Sequence, residues 1–370
     1  VDRNNDKIMS NQLFSILVMD MIGVGILSLP STLAQSAGPD SLIVLVMGSI
    51  LFLIQVLIIQ RLVTKFPKKT IIEITKTILF KPMGILIGFL YLIYFLLITS
   101  LEVRAFGEIT KNFLLPKTPI EIIIITFLLT SIYLVRSGIE SIARLAVIAL
   151  PLSVIPSIIV IMLAIPDLDF TAFLPVLHTP LPNLIKALPK VFFSYIGFEV
   201  ILVLGIFIKD TKNIRKASIK SIGFISIIYF IFTAMTIARF GIAENKNLIW
   251  PVVTLFKSVN LPGTLLENVE VVIMGTWLLS IFMTVAIAYF GCVLLLSRIL
   301  KSKEHNYLSI ILLPMIYVLS LIPENVAQVY DYMDIFAKYL TTIFAVIIPI
   351  LLLLISLFIR GSKKGMKKNV

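Results

Sequence analysis

With 59% of its 370 residues hydrophobic and only 14% charged, the chain has too little polar surface to clothe a soluble globule, and lipid is the solvent that suits it. The single cysteine, Cys292, excludes an internal disulfide framework and a cysteine-rich metal site, and two distant histidines, His178 and His305, both between apolar runs, argue against a zinc or haem centre. No cofactor, metal or catalytic constellation is therefore expected. Nor does the net charge of +12 point to nucleic acid, because the lysines and arginines punctuate apolar runs instead of forming one basic face.

Apolar runs suited to about 30 Å of hydrocarbon fall in chain order near 12–36, 41–63, 82–104, 119–135, 141–165, 185–208, 218–240, 268–298, 307–322 and 334–359. The first follows Arg3 and Lys7 and ends at Leu33-Ala34-Gln35-Ser36-Ala37, the pattern of a cleaved signal peptide. Its apolar stretch, 13–29, exceeds the ~7–15 residues usual in such a peptide, so a retained span is expected. The opening Val1, in place of Met, suggests a trimmed start. No polar connection is long enough to hold a soluble domain, so 1–370 reads as a single membrane domain in the bilayer.

Of the 32 Lys and Arg, twenty-three lie in the N-terminal tail, 61–81, 136–144, 209–220, 298–303 and the C-terminal tail. That asymmetry puts both termini in the cytoplasm by the positive-inside rule, in agreement with an even number of spans.

Glycine interrupts two runs in equivalent places, at Met21-Ile22-Gly23-Val24-Gly25-Ile26-Leu27 and at Phe193-Ser194-Tyr195-Ile196-Gly197-Phe198-Glu199. If the chain divides into a first five-helix repeat, 10–165, and a second, 185–360, each interruption lies in the opening helix of its half. This is the pointer to inverted repeats with discontinuous helices at a binding site. Glycines also serve helix packing in membranes, but packing does not explain the matched positions or the adjoining acids Asp20 and Glu199.

Gly23-Val24-Gly25-Ile26-Leu27 and Phe192-Phe193-Ser194-Tyr195-Ile196-Gly197-Phe198-Glu199 resemble the first- and sixth-helix signatures of amino-acid permeases. The fold this implies is all-α, with about ten transmembrane helices in a 5+5 inverted repeat and discontinuous helices 1 and 6, the LeuT-like fold of the amino-acid/polyamine/organocation superfamily. Arg104-Ala105-Phe106-Gly107-Glu108, Leu114-Leu115-Pro116-Lys117-Thr118-Pro119 and Gly138-Ile139-Glu140-Ser141-Ile142-Ala143-Arg144 resemble the permease-like B subunit of endospore germinant receptors. That resemblance implies a protein of the spore inner membrane that senses a nutrient amino acid with an A subunit and a lipoprotein C subunit. Proton-coupled relatives often carry a lysine in helix 5; here 141–165 has none, which speaks against that coupling route.

Breaking a helix in lipid frees backbone groups that cost several kcal/mol each if left unpaired. A zwitterionic amino acid satisfies them: its carboxylate at the amino end of the half-helix formed by Gly23, Val24, Gly25 and Ile26, its ammonium at carbonyls freed around Ser194, Tyr195, Ile196 and Gly197. In the resembled fold helices 3, 6 and 8 wall the site, with candidates Tyr94, Leu97 and Ile98 on helix 3, Phe198 as a cap, and Ser280 and Thr284 one turn apart on helix 8. So few hydroxyls among apolar residues favour a small aliphatic ligand. Interhelical packing is the alternative role for each of these.

Asp20 and Glu199 are the ionisable groups expected deep in the membrane, where such residues are rare and functional. Asp20 sits roughly 12 Å along the helix from Gln12, so it faces a cavity or stays protonated. Glu199 is expected to bond backbone N–H groups freed by the break, or helix 1, rather than the ligand. Glu102 and Arg104 are expected near the membrane interface, and Glu267 and Glu270 at the solvated start of helix 8. Two functions remain open, a sensing subunit and a working amino-acid transporter; an ion-conducting subunit fits the sparse charge less well.

Overall fold

The computed structural model describes residues 7–209, 213–258, 269–302 and 306–366. His305 and Glu267 lie outside these residues. In chain order the helices are α1 (Ser10–Met21), α2 (Gly25–Ala37), α3 (Ser41–Lys65), α4 (Ile71–Ile78), α5 (Lys81–Phe113), α6 (Ile120–Arg136), α7 (Ile139–Ala164), α8 (Leu181–Ala187), α9 (Pro189–Tyr195), α10 (Ile201–Leu204), α11 (Ile214–Asn245), α12 (Pro251–Ser258), α13 (Val269–Leu300), α14 (Asn306–Ser320), α15 (Val326–Ile335) and α16 (Ile348–Met366). Backbone groups have no partner in hydrocarbon, so each apolar run closes its hydrogen bonds within itself.

Among the described residues, six helical stretches are individually long and apolar enough to cross a membrane. The pair Leu181–Tyr195 and Phe198–Phe207, bent by 57°, raises this to seven. The other expected spans are broken or short: the first is divided into α1 and α2, of 12 and 13 residues, while α6 has 17 residues and α14 has 15, about 26 and 23 Å at 1.5 Å per residue. Conversely, α5 runs nine residues past the expected end of its span at 104, to Phe113.

The core is where small residues let helices approach. On α7 the buried positions include Ala143, Ala146, Ala149, Ser153, Ser157 and Ala164, while Ile148, Leu152, Ile155, Ile159 and Met162 are exposed on the other face. Small residues gathered on the inward face, beside the buried Ile139, Ile142, Val160 and Ile161, let neighbouring helices approach, as is common in membranes. Within the bundle α13 packs against α5, α7 and α1, and α11 against α3 and α1.

Between α15 and α16 the chain forms a π-helical stretch, Phe336–Ile347. Two buried side chains donate into it: Tyr91 Oη to the Phe344 carbonyl at 2.6 Å and Gln55 Nε2 to that of Ala345 at 2.5 Å. Two further ties close the bundle. Ile8 pairs with Ile208 as a parallel bridge, joining the start of the chain to the end of the second bent helix. At the opposite end the buried Asp40 accepts the N–H groups of Leu177 and Thr179 at 2.6 and 2.7 Å, pinning the connection after α7.

Candidate functional site

The first break is the three residues between α1 and α2, Ile22 to Val24. The second lies between α9 and the turn Phe198–Val200: Ile196 is extended, and Gly197 has φ of 122°, a left-handed conformation that L side chains rarely adopt. The two breaks touch. A Cβ on Gly197 would sit 2.9 Å from the carbonyl carbon and oxygen of Asp20, and one on Gly25 would sit 2.8 Å from Ser194 Cα. Gly25 therefore gives room to the opposing half-helix, a closer neighbour than the ligand carboxylate expected there.

Between the breaks is a cavity of about 20 Å³, lined by Asp20, Met21, Gly23 and Gly25 from the first helix and by Phe193, Ile196, Gly197 and Glu199 from the second. Phe95, Ile98 and Glu102 of α5 and Thr284 and Ala288 of α13 complete it. That volume holds about one water; an amino acid enters only if side chains move.

The backbone groups freed at the breaks are largely met by the protein. Val24 N–H donates to Glu102 Oε2 at 3.3 Å, and Gly197 N–H to Glu199 Oε2 at 2.9 Å. Thr284 Oγ1 donates to the Met19 carbonyl at 2.9 Å, and Ser194 Oγ to that of Gly25 at 3.1 Å. Tyr229 of α11 joins the two breaks, its hydroxyl lying 2.6 Å from the Met21 carbonyl and also contacting that of Ser194.

Several sequence candidates stand elsewhere than expected. Tyr94 does not wall the cavity; its hydroxyl donates to Glu199 Oε1 at 2.6 Å. Leu97 packs half-buried on the apolar core, leaving only Ile98 of the three α5 candidates at the cavity. Tyr195 turns away, within 2.7 and 2.8 Å of the Ser49 and Ser226 hydroxyls and stacked on Phe52. Phe198 packs edge-on against Phe52, and Phe193 occupies the cavity wall in its place. Val24 contributes its N–H, while Ile26 is buried in the core. Ser280 is buried off the cavity, its Oγ without a partner among the described residues; Thr284, one turn on, reaches it.

Glu102 is the main correction. Expected near the interface, it is 5% exposed and lines the cavity. The long α5 explains this, since Glu102 lies eleven residues before Phe113, about 16 Å along the axis. Arg104 is likewise buried, paired with Glu108 at 2.9 Å and donating to the Ser320 carbonyl at 3.4 Å. Tyr229 had no sequence signal beyond a tyrosine inside an apolar run. Glu102 and Arg104 are legible in the sequence as charges on this helix, but the expected span boundary at 104 assigns them to the interface.

Two discontinuous helices meeting at a small polar cavity, walled by continuous helices, define a LeuT-like transporter fold. A crystal structure of MhsT in complex with L-phenylalanine superposes with a TM-score of 0.69 over 88% of this chain and 85% of that one, at 16% identity. A substrate-bound, outward-open Na⁺-coupled sialic acid symporter gives 0.66 over 93% and 78%, at 12% identity. At such identities the likeness is one of fold. The sequence then fixes the family: residues 7–329 match the spore germination protein family, and the chain belongs to it, as a permease-like member of the germinant-receptor group. Spore germination protein YndE of Bacillus subtilis (strain 168) is 31% identical over 98% of both chains. Spore germination protein A2 of the same strain is 31% identical over 94% of this chain and 95% of its own, and GerLB of Bacillus cereus 25% over 89% and 88%.

Proposed function

We propose that this protein is the nutrient-sensing, non-enzymatic subunit of an endospore germinant receptor, binding a small aliphatic amino acid between its two broken helices. The observation that carries this reading is the meeting of both breaks at one polar cavity in a chain of the spore germination family. Binding enlarges the cavity and shifts the half-helices, and partner subunits, an A subunit and a lipoprotein C subunit, read the shift. The membrane is the spore inner membrane, with both termini cytoplasmic and about ten spans arranged as inverted repeats 10–165 and 185–360.

A second reading, a working amino-acid transporter, is favoured by the symporter fold. Proteoliposomes separate the two. The sensor reading expects saturable binding of one of L-alanine, L-valine or L-leucine without accumulation under sodium or proton gradients; gradient-driven uptake overturns it in favour of transport.

A further inference from the structure

Three carboxyl side chains, Asp20, Glu102 and Glu199, line the cavity, and no Lys, Arg or His does. They do not gather closely enough to hold a metal ion in common. Their partners differ. Glu199 is bonded twice, to Gly197 N–H and the Tyr94 hydroxyl. Glu102 is bonded to Val24 N–H, the residue that opens α2. Asp20, 3% exposed, lines the cavity with no hydrogen-bond donor among the described residues, and the ionisable side chains that share the cavity with it are the other two acids.

The amino end of α2 is the place where backbone N–H groups and the helix dipole favour an anion. In this conformation the protein's own Glu102 carboxylate sits there, close enough that a Cβ on Gly23 would lie 3.1 and 3.2 Å from its two oxygens. A ligand carboxylate needs the same N–H and the same space. Carboxylate for carboxylate is an exchange of equal charge and nearly equal volume, which a cavity of about 20 Å³ otherwise leaves no room for. The ligand's ammonium has fewer options than the sequence implied. The Ser194 carbonyl is already taken by Tyr229, and the Gly25 carbonyl by Ser194. Of the three carboxyl side chains at the cavity, Asp20 is the one without a donor among the described residues.

Resting on the amino-acid reading above, we propose that binding is a carboxylate exchange: the ligand's carboxylate displaces Glu102 from the Val24 N–H, and its ammonium pairs with Asp20. Glu102 is thus a built-in competitor that sets the threshold concentration, and Asp20 is the cation-recognising group. A buried carboxylate without a donor gains most from an arriving ammonium, since pairing removes the cost of an isolated charge in a low-dielectric site.

The test uses the full chain, purified and reconstituted in lipid nanodiscs, with L-alanine, L-valine and L-leucine as probes and ethylamine, isobutylamine and isoamylamine as their counterparts lacking the carboxylate. Equilibrium binding is measured for wild type, E102Q, E102A and D20N, with the melting temperature of each protein recorded alongside. Exchange predicts that the amino acid bound by wild type binds E102A about tenfold tighter or more, as a competitor worth ~1.4 kcal/mol is removed, and E102Q tighter by a smaller factor, because its amide oxygen still accepts the Val24 N–H. The amines gain nothing from either substitution, because they do not compete for Val24. D20N weakens amino acid and amine alike by tenfold or more. Amino-acid affinity unchanged or reduced in both Glu102 variants, at wild-type melting temperature, overturns the exchange while leaving the amino-acid reading intact. An equal gain for the amines shows simple enlargement of the cavity and also overturns it. Unaltered binding to D20N overturns the ammonium assignment. Absence of binding by every probe to every protein overturns both the exchange and the reading beneath it.

Discussion

The two helix breaks solve one problem in different ways. At the second, the freed Gly197 N–H is met by Glu199, two residues further along the same strand of chain, and Glu199 is held in turn by Tyr94. At the first, the Val24 N–H is met by Glu102, 78 residues away on a separate helix. A break satisfied by its own sequence is a fixed piece of architecture. One satisfied from a neighbouring helix can release its partner without unfolding, and is the one suited to trade a protein group for a ligand.

Gly197→Ala should show the largest effect. With φ of 122° the position disfavours any L side chain, and a Cβ would meet the Asp20 backbone at 2.9 Å; strain of about 1–3 kcal/mol adds to an overpacking cost of similar size. Membrane abundance and melting temperature in detergent should both collapse. Gly23→Ala at the other break meets only the tips of Glu102 and Thr284 at 3.1–3.2 Å, and should cost about 1 kcal/mol. Equal losses would abolish the distinction between a rigid and a releasable break.

Glu199→Leu comes next. It leaves the Gly197 N–H and the Tyr94 hydroxyl without an acceptor in a fully buried site, about 1–3 kcal/mol for each. Glu199→Gln keeps an acceptor and should stay within about 1 kcal/mol of wild type. If Gln instead leaves an abundant protein that binds nothing, the charge of Glu199 serves the ligand and the second break is not merely architecture.

Gly25→Ala should cost about 1–3 kcal/mol, because its Cβ would press on Ser194 Cα at 2.8 Å and so on the opposing backbone. Gly88→Ala, also buried, meets Ile72 Cγ1 and Cδ1 at 2.5 and 2.7 Å, on a β-branched side chain that is stiff in a helix, and should cost as much or more. Thermal unfolding compares them, and ligand binding, measured on folded protein, should fall only for Gly25→Ala. Equal loss of binding in both would mean that Gly25 serves packing alone.

Much of this is legible in the sequence alone. The breaks announced themselves because glycines in an apolar run have few uses, and Asp20 and Glu199 because buried carboxyls are rare. The partners were harder to read. Which side of α5 faces inward follows from its packing against α13 and α14, and no local pattern ends that helix at Phe113 rather than near 104. Glu102 was thus assigned to the interface although its spacing from Ile98, four residues, places both on one helix face. Tyr195 and Phe198 stand off the cavity for a related reason: near an irregular backbone the 3.6-residue period does not tell which way a side chain points, whereas Tyr94, on a regular helix, is drawn to Glu199 by a hydrogen bond that only the tertiary packing creates.

The smallest effect should come from Tyr229→Phe, yet it bears most directly on whether the breaks act separately. The hydroxyl contacts carbonyls on both, those of Met21 and Ser194, and removing it should cost about 1 kcal/mol, the ordinary net worth of a buried hydrogen bond. Combined with Glu102→Gln or Glu199→Gln in double-mutant cycles, Tyr229→Phe reports how strongly each break leans on the shared tether. If the first break is the one that moves, its cycle should show coupling of about 0.5 kcal/mol or more in the ligand-bound state and less without ligand, since motion at Val24 alters the Met21 carbonyl three residues before it, at the other edge of the break. The second cycle should not change with ligand. Ligand-dependent coupling of equal size in both cycles would make the pair of breaks a single moving unit, and the contrast between Glu102 and Glu199 a matter of sequence distance alone.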